Sequence, residues 1–205
     1  MVVDRSGSMA SMGAEVEGGC NAYLDEQRSA DASDPGARTT VLLTTFDSTV
    51  DTVIDWTSLT DIAPITHEQV APRGMTALYD GIGSALQSTA SFVNKLPTRP
   101  SVVVFILTDG QENSSRTWSK SAVTAQITKL QAEPTEWEFY FAAANQDALA
   151  EGSRLGMDSA KCMQWSPEGA KMKEAFRSAN VAYQRGKTHG RSYGAYTAEE
   201  RSACE

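Results

Sequence analysis

Three observations predict an α/β fold, a mostly parallel sheet with helices on both faces. Apolar runs of strand length alternate along the chain with apolar stripes of helical period. The clearest run, Val102 to Leu107, is apolar at every position, as a central parallel strand covered on both faces must be. A third pattern, Thr40–Phe46 followed across Asp47-Ser48 by Thr49–Trp56, reads as a hairpin.

Taken in order, the elements begin with a stub. Only Met1-Val2-Val3 precede Asp4, whereas a buried strand usually runs about five or six residues. Either the fold tolerates a short first strand or the natural start lies upstream. A soft helix follows Met12, carried by Val16, Cys20, Tyr23 and Leu24 and weakened by Gly18 and Gly19. After the hairpin, Leu78, Ile82, Ala85, Leu86, Thr89, Val93 and Leu96 recur at three and four residues, and Pro97 ends that helix. Val123, Ile127 and Leu130 give another helix before Pro134, and Met172, Ala175, Phe176, Ala179 and Tyr183 a last one. Trp137–Ala143 is a further strand and Lys161–Trp165 a weaker one. Residues 1–185 therefore form one domain. Residues 186–205, rich in Gly, Ser and charge, are expected to be a polar tail of partial order, with periodicity returning only at Thr197–Arg201.

Composition narrows the function classes. The 205 residues carry 26 acids against 18 Lys and Arg, a formal charge of −8. Ten of those acids lie in residues 1–60, opposed there only by Arg5, Arg28 and Arg38. Such a surface repels a phosphate backbone, so nucleic acid is excluded as a partner. Val102–Leu107 is far too short to span a bilayer, and the amino end has no secretory apolar segment, so no membrane association is expected. Three isolated cysteines, Cys20, Cys162 and Cys204, form no disulfide framework and fit a reducing, cytoplasmic setting.

The chemistry-bearing residues lie in three segments. Asp4-Arg5-Ser6-Gly7-Ser8 stands where the first strand ends, with a carboxylate and two hydroxyls at alternate positions. Alternate side chains of such a loop can face one concavity and offer oxygens to a small hard cation. A capped helix start, with Ser8 or Ser11 bonding free N–H groups, would use the same residues. Asp109 of Thr108-Asp109-Gly110 ends the Val102–Leu107 run. In a doubly wound sheet two such strand ends meet at a crevice, which makes Asp4 and Asp109 neighbours. Two close carboxylates repel unless a cation or a shared proton lies between them. The third segment is Arg73-Gly74-Met75-Thr76-Ala77-Leu78, where Gly74 breaks the chain and Thr76 opens the long helix, either as an N-cap or as a ligand.

Asp4-x-Ser6-x-Ser8, Thr76 in a Gly-x-Thr-Ala-Leu context and Thr108-Asp109-Gly110 together resemble the metal-ion-dependent adhesion site of von Willebrand factor A domains. Thr108–Ser115 and Ala144-Asn145-Gln146-Asp147-Ala148 are similar to stand-alone intracellular A-domain proteins of bacteria and their phages. The resemblance implies a Rossmann-like, doubly wound fold with the first strand central and the hairpin strand at an antiparallel edge. It implies Mg²⁺, with Mn²⁺ or Ca²⁺ as substitutes, held by Asp4, Ser6, Ser8, Thr76 and Asp109. Ser6 and Ser8 would ligate directly and Asp4 through water or the hydroxyls, while Thr76 and Asp109 exchange direct for water-bridged ligation. The sixth position is left to an Asp or Glu of a partner protein, by analogy a MoxR-type AAA+ ATPase. Gly74, Gly110, Glu112, Asn113, Asn145 and Gln146 would form the surrounding or partner-binding rim, although Glu112 and Asn113 could equally satisfy local backbone. Trp118 reads as packed against the domain body, with an exposed partner anchor as the alternative.

The expected function is thus a metal-dependent protein-binding module and not an enzyme. A metal-dependent phosphoesterase lacks a placed proton carrier, since His67 and His189 have no motif context. A subunit whose metal only stiffens the loop is the other alternative. A P-loop at Gly186-Lys187-Thr188 fails, because the glycine required five residues earlier is Val181.

Overall fold

Order in the sheet is set by which strands can be buried on both faces. The computed structural model describes residues 1–12, 14–34, 36–133, 135–144, 146–167 and 171–205. Its elements are β1 (Val2–Asp4), α1 (Glu15–Ser33), β2 (Thr40–Phe46), β3 (Val50–Ser58), α2 (His67–Val70), α3 (Leu78–Val93), β4 (Val102–Thr108), α4 (Lys120–Gln131), β5 (Trp137–Ala143), α5 (Gln146–Arg154), β6 (Cys162–Gln164), α6 (Lys171–His189) and α7 (Ala198–Cys204). The six-stranded sheet runs β3-β2-β1-β4-β5-β6. All neighbours are parallel except the β2–β3 hairpin, which puts β3 at the edge. This is a Rossmann-like, doubly wound arrangement with β1 at the centre.

Two apolar layers flank the sheet. On one face Val3, Leu43, Phe105 and Tyr140 pack with Val16, Cys20 and Tyr23 of α1 and with Met172 and Phe176 of α6. On the other face Val2, Phe46, Ile106 and Phe141 pack with Leu78, Ile82 and Leu86 of α3 and with Val123 and Ile127 of α4. Strand residues alternate between these clusters, so a slip of one residue would exchange the two layers. All three cysteines are buried thiols, and no described helix is long and apolar enough to cross a membrane.

The carboxyl-terminal end corrects the expectation of a partly ordered polar tail. α6 continues to His189, and α7 follows with a capping box in which Thr197 and Glu200 satisfy each other's backbone. Tyr196 and Cys204 are buried in the α1/α6 layer, while Arg185 pairs with Glu200 at 2.7 Å and donates to the Ala195 carbonyl. Few apolar side chains, placed at 196 and 204, are enough to seat the segment. Composition averaged over the tail hides them.

Close approach on the α3 layer depends on glycine. A Cβ at Gly83 would fall 2.1 Å from Trp118 Cδ2, so the indole lies flat on the helix backbone. Trp118 is thereby packed on the body of the domain. Gly83→Ala should gain about 1 kcal/mol of helix propensity yet lose about 1–3 kcal/mol to overpacking. A melting temperature lower by a few degrees is the expected result, with a shifted tryptophan emission; an increase would show that the indole is not held there.

Candidate functional site

The carboxyl ends of β1 and β4 open at the point where the chain turns to opposite sides of the sheet. Val3 pairs with Leu107, which sets Asp4 beside the Thr108–Gly110 turn. Asp4 is fully buried: its Oδ1 accepts from the Ser6 amide at 2.7 Å and its Oδ2 from Thr108 Oγ1 at 2.5 Å. The residues after it form a 3-10 turn, Gly7–Met12, so the loop winds tightly back on itself. Ser6 Oγ and Ser8 Oγ lie 3.1 Å apart, and Ser8 Oγ donates to Asp109 Oδ1 at 2.7 Å across 101 residues of sequence. A Cβ at Gly110 would sit 3.1 Å from Thr76 Oγ1 and 3.7 Å from Ser8 Oγ. Hydroxyls from two distant segments therefore face the same spot beside Asp109.

Arg5, between two of these oxygen donors, points the other way. Its Nε pairs with Asp47 at 2.9 Å, and its terminal nitrogens reach Asp51 and the Gln69 carbonyl. Arg73 pairs with the same two acids at 2.8 and 2.9 Å. Asp47 Oδ1 also accepts from the Thr49 amide and hydroxyl. Burial alone would raise the Asp47 carboxyl, but the hydrogen bonds from Arg73 and Thr49 and the nearby Arg5 hold it below the usual carboxylate range. Removing one member of such a buried pair is costly, so this network fixes the loop. Backbone bonds complete the tie: Arg73 N to Arg5 O at 2.8 Å, Gly7 N to Gly74 O at 3.1 Å and Ala77 N to Asp47 O at 2.8 Å. Gly74 has φ of 68°, and a Cβ there would stand 2.8 Å from Ser48 Oγ and 3.2 Å from its backbone nitrogen, so a side chain at the crossing would be strained.

Asn113 clamps Thr76 from the far side, its Oδ1 accepting from the Thr76 amide and its own N–H donating to the Thr76 carbonyl. Glu112 accepts from the Tyr79, Ser114 and Ser115 amides, satisfying the start of α3 and its own turn. Asp80 answers by accepting from the amides of Arg116, Thr117 and Trp118. Glu112 and Asn113 thus join the segment that follows Asp109 to Thr76 and to the start of α3 through backbone groups. Asn145 lies outside the described residues, as does the side chain of Gln146, the first residue of α5.

Reasoning from sequence missed Arg5, Asp47, Asp51 and the Thr108 hydroxyl. A signal for Arg5 was present: a guanidinium between two side chains that face one crevice has to point out of it, and Asp47 and Asp51 sit on the adjoining hairpin. Thr108 was masked as the last residue of an apolar strand.

The electrostatics are those of a crowded acidic crevice. Burial, and more weakly the charge of Asp109, pushes the Asp4 carboxyl up to about 6, against the pull of its Thr108 and Ser6 hydrogen bonds. Burial likewise raises Asp109. The donors are all oxygen, two carboxylates and three hydroxyls, which is the chemistry hard divalent cations take. Among the described residues no group of three or more His, Cys, Asp or Glu side chains is placed to hold a metal ion, so a cation held here would depend on Ser6, Ser8 and Thr76 for its remaining ligands. At the mouth, Met75 is 52% exposed while Thr76 is buried.

No family model and no curated protein sequence matches the chain. Among solved structures, proximal thread matrix protein 1 from the mussel byssus matches with a TM-score of 0.52 at 19% identity. The match covers 85% of this chain and 42% of that one, so the chain spans less than half of the mussel protein's length. At this identity the likeness is one of fold.

Because the folded pKa of Asp4 is raised, protonation favours the folded state. That stabilisation is complete below about pH 4 and is lost as pH rises through about 6, a swing of about 3 kcal/mol. In chelator, urea unfolding between pH 4 and 7 should show this slope for the natural chain and a flatter one for Asp4→Asn. Equal slopes would mean that Asp4 titrates normally. The strand order and the two-sided layering agree with a Rossmann-like fold of the von Willebrand factor A type.

Proposed function

We propose that the chain is a protein-binding module that captures an acidic side chain of a partner through Mg²⁺ held by Asp4, Ser6, Ser8, Thr76 and Asp109. The single observation that carries this reading is the bond from Ser8 Oγ to Asp109 Oδ1, with Thr76 Oγ1 facing the same spot beside Gly110. Three separate stretches of chain meet there with oxygen donors alone. Mg²⁺ takes about six oxygens and dehydrates reluctantly. When bound it would supply an electrophilic point that an incoming Asp or Glu can complete.

The protein's own part is to present the donors and hold them still. Ser8 and Asp109 lie at the open side of the crevice, whereas Asp4 and Ser6 form its buried floor. Arg5 and Arg73, bound to Asp47 and Asp51, stiffen the loop without any metal. That network argues against a cation whose only task is to hold the loop. The proposed partner surface therefore centres on the Ser8–Asp109 side, with Met75 beside it.

Affinity capture from host extract in Mg²⁺ and in chelator is the corresponding experiment, with an Asp4→Ala column as control. The expected outcome is a partner retained in Mg²⁺, released by chelator and absent from the variant column. Retention of the same partner at full strength in chelator would refute the reading.

A further inference from the structure

Sulfur is divided unevenly between the interior and the surface. The sequence holds seven methionines and three cysteines, all of them among the described residues. Met9, Met12, Met157, Met163 and Met172 are buried, Met1 is partly buried against the α1/α6 layer, and the three cysteines are buried thiols. Burial also pushes the Cys20 thiol up to about 12 and the Cys162 thiol to about 11, and it raises Cys204, so none of them offers a reactive thiolate. Met75 is the exception, 52% exposed at the mouth of the crevice. Its backbone has no freedom to withdraw it. The Met75 amide donates to Ser48 Oγ at 2.9 Å, Gly74 before it takes φ of 68° and accepts from the Gly7 amide at 3.1 Å, and Thr76 after it is gripped by Asn113. A side chain fixed from both sides in this way stays in solvent while Thr76 beside it turns inward.

We propose that Met75 is an oxidation-sensitive contact of this mouth: peroxide converts it to the sulfoxide ahead of every other sulfur in the chain, and retention of the partner falls as it does. The thioether sulfur attacks one oxygen of hydrogen peroxide, and the O–O bond breaks as the S–O bond forms. The departing hydroxide takes the proton of the transferred hydroxyl and leaves as water. Sulfur gives up two electrons and the peroxide accepts them. The product is polar where the thioether was apolar and adaptable, the property that suits methionine to binding surfaces. Met75 is not among the oxygen donors Ser8, Thr76 and Asp109, so its oxidation changes what lies beside the crevice and leaves the crevice itself. The loss of retention rests on the metal-bridged reading proposed above, whereas the order of oxidation does not.

The test treats the 205-residue chain with dilute hydrogen peroxide at neutral pH and follows each methionine-containing peptide by mass spectrometry. Met75 should gain oxygen about tenfold faster than Met9, Met12, Met157, Met163 and Met172, with Met1 slower than Met75. The chain oxidised at Met75, with Mn²⁺ uptake and far-ultraviolet spectrum unchanged, should retain about fivefold less of the Mg²⁺-dependent partner from host extract. Methionine sulfoxide reductase should restore the retention. Met75→Gln, polar at similar length, should start low before any treatment. Met75→Leu, whatever its own starting retention, should lose none of it to peroxide. A buried methionine oxidised as fast as Met75 would overturn the proposal, and so would undiminished retention after Met75 is oxidised or an equal loss in Met75→Leu. An untreated chain that takes up no Mn²⁺ contradicts the metal-bridged reading instead, and the peptide masses then still uphold or overturn the oxidation site.

Discussion

Everything at the crevice depends on one separation of charge along five residues. Asp4 is driven into the floor at the end of β1, where burial opposes its ionisation, and Asp109 stands near enough to add to that opposition. The nearest cation in sequence, Arg5, does not relieve either acid. It is held on the opposite side by Asp47 and Asp51, and Arg73 completes that cluster. The loop is thus electrically two-faced: a neutralised ion network outside and an acidic, hydroxyl-lined crevice inside. On the reading proposed above, two carboxylates kept together in low dielectric would gain most from a counter-ion.

Rigid support follows from the same loop. Gly74 passes against Ser48, Arg73 and Gly74 bond the backbone of Arg5 and Gly7, and Asn113 grips Thr76 at both its N–H and its carbonyl. Glu112 and Asp80 exchange backbone bonds between the start of α3 and the 112–118 segment. Trp118 then lies on Gly83 and fixes that segment to the helix. Side chains that never face the crevice decide where its oxygens stand, which is how preorganised sites are held to tolerance.

The central elements were legible because their patterns are long and unambiguous. The unbroken apolar run ending at Thr108 could only be a central strand, and the spacing from Leu78 to Val93 could only be one helix face. The convergence of Asp4, Ser6, Ser8, Thr76 and Asp109 was legible as well, since they occupy strand ends and a helix start, positions that topology brings together. What escaped were pairings across distance. Arg5 with Asp47 and Arg73 looks in sequence like scattered surface charge, and its meaning depends on a hairpin folding back over the loop. The carboxyl-terminal segment escaped for a related reason: Tyr196 and Cys204 are isolated apolar residues in polar surroundings, and only the surface of α6 and β6 gives them somewhere to bury.

The most direct measurement of the central claim is electron paramagnetic resonance of Mn²⁺ titrated into the purified chain at neutral pH. One bound ion per chain is predicted, displaced by excess Mg²⁺ and lost in both Asp109→Ala and Thr76→Ala, each variant retaining the natural far-ultraviolet spectrum. A Mn²⁺ signal that remains that of the free ion throughout, or binding undiminished in both variants, would contradict the account.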